Sequence, residues 1–184
     1  MNTQKTLRDS IKFKGVGLHT GCNVNMILEP AKENYGIKFQ RIDIEKSPII
    51  AANIDFVNET QRSTTLEKDG IKIVTVEHLM SALYALGVTN VLIKLDNLEV
   101  PILDGSAKYF VEGIQKVGLK VQNAPLKTIK LPDSIRYTDK ESGSEILFVP
   151  ANNFTLSALL DYENPVLGTQ SVSYTHLRAH ETPC

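Results

Sequence analysis

Two histidines and one glutamate carry most of the chemistry this sequence could do. Glu77 and His78 are adjacent in Thr75-Val76-Glu77-His78-Leu79-Met80. A neutral imidazole is the commonest protein metal ligand, and a carboxylate beside it can take a proton from an activated water. Neighbouring helix residues lie ~100° apart, so the pair cannot share one face, but at a helix start both can border one cleft. The pair equally reads as a solvated first turn, because acidic residues suit the positive end of a helix. His19 stands in Gly15-Val16-Gly17-Leu18-His19-Thr20-Gly21. Glycines so close together demand unusual backbone angles or close approach. They describe either a tight turn between strands or a cleft-lining loop whose histidine meets a substrate. The GxxxxGK[ST] spacing of a phosphate loop is absent.

The elements that would hold these groups follow from periodicity. Residues 22–30 alternate, with Val24, Met26 and Leu28 on one side and Asn23, Asn25 and Glu29 on the other, which predicts a half-buried strand stopped by Pro30. Residues 35–43 read as its antiparallel partner across a short polar hairpin. Residues 62–67 and 71–75 flank Lys68-Asp69-Gly70, a strong hairpin signal. Val76, Leu79, Met80 and Leu83 then fall on one helical face, with Thr75 as the expected N-cap and Gly87 as the stop. Residues 88–95 form an apolar, β-branched strand. Asp104, in Pro101-Ile102-Leu103-Asp104-Gly105-Ser106, is expected to cap a second helix, a substrate contact being the alternative. That helix carries the stripe Ala107, Phe110, Val111, Ile114 and Val117 and ends at Gly118.

The fold class expected is therefore α+β. A two-layer domain of sheet plus helices occupies residues 1–122, and residues 122–126 read as a linker. Strand-like runs at 127–131, 134–137, 145–150 and 154–162 then begin a second α+β domain over 127–170. No helix follows to cover its apolar face. Residues 172–182, VSYTHLRAHET, match one reading frame of a transposon-end adapter used in sequencing libraries. Residues 172–184 are accordingly expected to be a non-native tail, and the pair His176 and His180 within it is set aside.

The formal net charge of −1 gives no bulk attraction to nucleic acid or to an anionic membrane. No apolar run approaches the ~18–20 residues of a membrane helix. The start lacks the apolar core of a secretory signal, so a cytoplasmic protein is expected. Cys22 and Cys184 make neither a disulfide framework nor a Cys-rich zinc site, which leaves His and carboxylate to hold any metal.

GVGLHTG near the start, TVEHLMSAL after a hairpin and PILDGSAKYF after a strand occur in this order. Together they closely resemble the UDP-3-O-acyl-N-acetylglucosamine deacetylase family, the zinc amidases of lipid A synthesis in Gram-negative bacteria. The similarity runs from about Thr6 to Gln170. It implies two facing α+β domains with the active site between them. It further implies His78 as a zinc ligand and Glu77 as the general base that activates water for attack on the acetyl carbonyl. Leu18 and His19 match the family's loop at the active-site passage. Ser63 and Thr64 match a strand segment lining the same cleft. The implied substrate is UDP-3-O-acyl-N-acetylglucosamine and the implied cofactor is Zn2+, with iron a conceivable occupant of a similar site. The family's other ligands, a His and an Asp one helical turn apart in the second domain, have no match in this sequence. The 184-residue chain is therefore expected to be inactive alone. Two alternatives stand beside this. The chain could be the front of a bifunctional deacetylase and 3-hydroxyacyl-acyl carrier protein dehydratase, or a non-catalytic module that binds a nucleotide-sugar or acyl chain.

Overall fold

The computed structural model describes residues 3–162 and 164–174, apart from the Tyr174 side chain. It is an α+β structure that divides into two units, one running to Leu126 and the other starting at Lys127. Among its described residues the first unit contains ten strands: β1 (Thr3–Leu7), β2 (Ile11–Val16), β3 (Asn23–Pro30), β4 (Ile37–Arg41), β5 (Ile49–Ala51), β6 (Val57–Glu59), β7 (Thr65–Lys68), β8 (Ile71–Ile73), β9 (Val91–Leu95) and β10 (Leu119–Pro125). Its helices are α1 (Glu77–Leu86) and α2 (Lys108–Val117), with a 3-10 turn at Ile54–Phe56.

The main sheet has the order β2-β3-β9-β4-β5. The period-two strand is as expected: Val24, Met26 and Leu28 are buried on one face of β3. Its partner is not. The segment after the polar connection pairs in parallel with β9 and antiparallel with β5, and β9 lies between β3 and β4. A central place suits β9, whose sequence VLIKL buries Val91, Ile93 and Leu95. The expected hairpin connection, residues 31–34, instead leads through a bend with left-handed Asn34 and Gly36.

The helices add Leu79 and Leu83 from α1, and Phe110 and Ile114 from α2, to the same core. Helix α2 meets β2 closely. The Phe13 and Phe110 rings stand edge to face with centroids 5.2 Å apart, a favourable aromatic geometry. At Gly113 a Cβ would come within 2.6 Å of Ile11 Cδ1, so a larger residue there would displace the ends of the Ile11 and Phe13 side chains. The hairpin between β7 and β8 is also as expected. Asp69 and Gly70 both have positive φ, 52° and 77°, as a type I′ turn requires.

Residues 119–125 correct the expected linker, because β10 pairs antiparallel with β1. Gln122 is buried there. Its Oε1 accepts from Asn90 Nδ2 at 2.7 Å and its Nε2 donates to Ala31 O at 2.9 Å. Asn90 Nδ2 also donates to Gln4 Oε1. The polar residues that suggested a linker are thus partners in a buried amide network.

The second unit contains β11 (Ile135–Thr138), β12 (Glu145–Phe148), β13 (Leu156–Asp161) and β14 (Thr169–Tyr174). They form two separate antiparallel hairpins, β11 with β12 and β13 with β14. Residues 127–131, expected as a strand, are in none. Strand β14 takes in residues 172–174, which the sequence assigned to the tail; His176 and His180 lie outside the described residues.

Candidate active-site residues

Helix α1 does not begin as the sequence suggested. Its first residue is Glu77, its N-cap position is Val76, and no side chain caps it. Thr75 has φ of +60°, a strained setting for a β-branched residue. Its hydroxyl donates to Glu99 Oε1 at 2.8 Å rather than to the helix. On either side of Glu99 the backbone is stitched to Val74: Val74 N donates to Leu98 O, and Val100 N to Val74 O. The chain therefore turns sharply from β8 into α1, presenting Glu77 and His78 in the first turn. Leu79 and Leu83, fully buried below them, anchor the helix. Gly87 closes it in the left-handed conformation, with its N–H directed to Leu83 O and Tyr84 O.

Glu77 and His78 are both half-buried. The Thr64 N–H donates to Glu77 Oε2 at 3.1 Å, and Thr64 O accepts from Val76 N at 3.3 Å. Thr64, just ahead of β7, is thereby fastened to the start of α1. Ser63 is half-buried beside it. Among the described residues no hydrogen bond involves Glu77 Oε1 or the His78 ring.

The glycine-rich loop is a tight turn, held by Gly17 N to Cys22 O and Gly21 N to Gly17 O, each at 3.0 Å. A Cβ on Gly17 would collide with the Glu99 carboxylate and Thr20 Oγ1. Leu18 and His19 project from it, both exposed. The loop is not free-standing, since Glu99 accepts hydrogen bonds from His19 N at 3.0 and 3.2 Å, from Thr20 N at 2.9 Å and from Thr20 Oγ1 at 2.8 Å. Burial pushes the Glu99 carboxyl up. The hydrogen bonds from His19, Thr20 and Thr75 outweigh it, leaving the group below its ordinary range.

The structure thus joins Thr64 to Glu77 directly, and His19 to the start of α1 through Glu99. Glu99 was not singled out from the sequence. The available signal was an acidic residue between apolar Leu98 and Val100; it is 1% exposed. Asp104 is not the cap of α2, which starts four residues later. Its Oδ1 accepts from Ser106 N and Oγ, and Ser106 Oγ in turn accepts from Lys108 N at 3.1 Å. The N-cap position is Ala107, which has no side-chain cap, and Ser106 satisfies the Lys108 N–H from just outside it.

A family model described as UDP-3-O-acyl N-acetylglycosamine deacetylase matches residues 4–181. The bifunctional enzyme LpxC/FabZ of Bacteroides thetaiotaomicron is 45% identical over 170 residues, covering 92% of this chain and 37% of that protein. The UDP-3-O-acyl-N-acetylglucosamine deacetylase of Chromohalobacter salexigens is 44% identical over 170 residues, covering 92% of this chain and 55% of that protein. The protein of the same name from Pasteurella multocida is 39% identical over 175 residues, with 95% and 57% covered. The chain spans about half the length, or less, of these relatives.

Proposed function

The chain belongs to the UDP-3-O-acyl N-acetylglycosamine deacetylase family, and on that premise we propose that the whole protein is a zinc-dependent amide hydrolase. Its substrate is UDP-3-O-acyl-N-acetylglucosamine, from which it removes the N-acetyl group in lipid A biosynthesis. The observation that carries this is the setting of Glu77 and His78. One carboxylate oxygen is held by Thr64 N–H while the other oxygen and the imidazole have no hydrogen-bond partner among the described residues.

In this reading Glu77 takes a proton from water as the water oxygen attacks the acetyl carbonyl. The C–N bond then breaks, acetate leaves, and the amine nitrogen gains a proton. The Thr64 N–H keeps Glu77 aimed, and Leu18, His19, Ser63 and Thr64 border the substrate. Zinc, when bound, polarises the carbonyl and acidifies water. Among the described residues no three His, Cys, Asp or Glu side chains group to hold a metal, whereas catalytic zinc uses three protein ligands. The described residues thus do not hold the metal alone. His78 is one ligand, and a His and an Asp come from elsewhere in the whole protein. The 184-residue chain by itself is inactive.

No helix among the described residues is long and apolar enough to cross a membrane, and a cytoplasmic enzyme is proposed. The 45% identical relative named as bifunctional supports a second reading. In it the whole protein also carries a 3-hydroxyacyl-acyl carrier protein dehydratase.

The deciding experiment is acetate release with added zinc, from this chain and from the complete open reading frame. Release by the complete protein only, abolished by Glu77→Ala, is the expected result. A complete protein that binds the nucleotide-sugar without releasing acetate overturns the hydrolase reading in favour of a binding module.

A further inference from the structure

We infer that Glu99 is a positioning residue that locks the glycine-rich loop and the start of α1 into one rigid frame for the site. The inference rests on the proposed role of Glu77 and His78, and it concerns a residue that does not itself touch them.

The geometry is specific. One buried carboxylate takes three donors from the loop, His19 N, Thr20 N and Thr20 Oγ1, and one from Thr75 Oγ1. Thr75 lies two residues before Glu77 and is held at φ of +60°. A β-branched residue keeps such an angle only where its surroundings over-determine it. Here they do: the flanking Val74 is bridged on both sides of Glu99, and the side chain is tied by its hydroxyl. The loop side is equally built for the carboxylate, since at Gly17 even a methyl would occupy its place. A carboxylate suits this setting because two of its partners, the His19 and Thr20 N–H groups, can only donate. An amide keeps one acceptor oxygen and turns its N–H2 toward a hydroxyl that must then accept, which weakens the hold on the loop. Positioning of this kind acts on turnover, because small displacements of a base or ligand cost rate.

The test compares Glu99→Gln with the milder Thr75→Val, which removes only the hydroxyl bond. Amide hydrogen exchange in this chain reads the clamp itself. In Glu99→Gln, exchange at His19 and Thr20 is expected to rise at least ~10-fold while Ile93 in β9 stays protected. Steady-state kinetics of the complete protein read positioning. Both variants are expected to lower kcat by ~10–100-fold with KM changed less than about threefold. Thr75→Val is expected to leave His19 and Thr20 exchange as in the parent. If exchange at His19 and Thr20 is unchanged in Glu99→Gln, the clamp does not exist in solution. If exchange rises but kcat holds in both variants, Glu99 is a structural tie only. Either result overturns the inference while leaving the hydrolase reading intact. An inactive parent protein instead overturns the hydrolase reading, and the positioning role with it. Should Glu99→Gln fail to fold, the kcat of Thr75→Val decides.

Discussion

The backbone N–H of Thr64 donates to Oε2 of Glu77 at 3.1 Å, so the candidate base is aimed by the segment just ahead of β7 rather than by its own helix. The same threonine accepts from Val76 N. A side-chain substitution at Thr64 therefore leaves both bonds available, whereas truncating Glu77 to alanine removes one of them together with the chemistry.

Glu77→Gln separates the two roles. An amide oxygen still accepts from Thr64 N–H, and the base is lost. The unfolding free energy of the chain is expected to stay within about 0.5 kcal/mol, while acetate release by the complete protein falls ~10²–10⁴-fold. Denaturant melts and initial rates check this. A Gln variant that turns over at the parent rate removes Glu77 from the mechanism.

Acid should weaken the first unit through Glu99. Burial raises this carboxyl, and the hydrogen bonds from His19, Thr20 and Thr75 together lower it by more, with a net lowering. A group lowered in the folded state binds fewer protons there than in the unfolded chain. Its stabilisation is full above the unfolded value of about 4.3 and is lost as pH falls through the lower folded value. Asp43 acts in the same direction, held down by the hydrogen-bonded Arg41 guanidinium. The unfolding midpoint in denaturant is expected to drop as pH falls below about 4.3. Glu99→Gln should flatten that part of the curve, and an unchanged slope would count against the hydrogen-bonded carboxylate.

The parts legible in the sequence were those where local pattern and tertiary need agree. Alternation placed β3, the Asp69-Gly70 turn placed the β7–β8 hairpin, and the apolar stripes placed both helices. Pairing was not legible where a distant strand intervenes, as β9 does between β3 and β4. Nor was β10, whose polar Gln122 finds its partners only in Asn90 and Ala31. At the site, the sequence singled out His19, Thr64, Glu77 and His78, but not how they are connected. Thr75 looked like an ordinary N-cap because type alone does not reveal a φ of +60°. Glu99 was silent because its donors are two backbone N–H groups and a hydroxyl 79 and 80 positions away, with the Thr75 hydroxyl 24 positions away.

The β7–β8 turn offers a direct stability test. Gly70 sits at φ of +77° with open space around it, so a methyl meets no neighbour and only backbone strain is added. Gly70→Ala is expected to cost about 1–2 kcal/mol, read as a lower denaturant midpoint at unchanged slope. A midpoint that does not move would mean the turn relaxes in solution.

Leu83 lies in the buried face of α1 and is fully buried. Leu83→Ala should destabilise the chain by ~2–5 kcal/mol, the spread reflecting how far the site collapses. Because Leu83 also anchors the helix that begins with Glu77, the loss of kcat in the complete protein should be partly rescued by lower temperature. Glu77→Gln should show no such rescue. Unfolding curves and an activity–temperature series distinguish the two.

The second unit should be the first to open. Among the described residues its strands pair only as two hairpins, and isolated two-stranded hairpins are marginal in water. Ile146, Phe148, Leu159 and Leu160 are about half exposed or more, so burial adds little to hold them. Across the chain, the first unit has a shared core from Leu7 to Ile114, and the second has no such cluster among the described residues. Hydrogen exchange should therefore show opening free energies of roughly 0–1 kcal/mol at Ile146 and Leu159, against the full unfolding free energy at Ile93. Brief trypsin treatment should cut after Lys127 or Lys130 before it cuts after Lys94 in β9. Equal protection of Leu159 and Ile93 would mean that the exposed apolar faces are covered in solution, by a second copy of the chain or by the unit's own rearrangement.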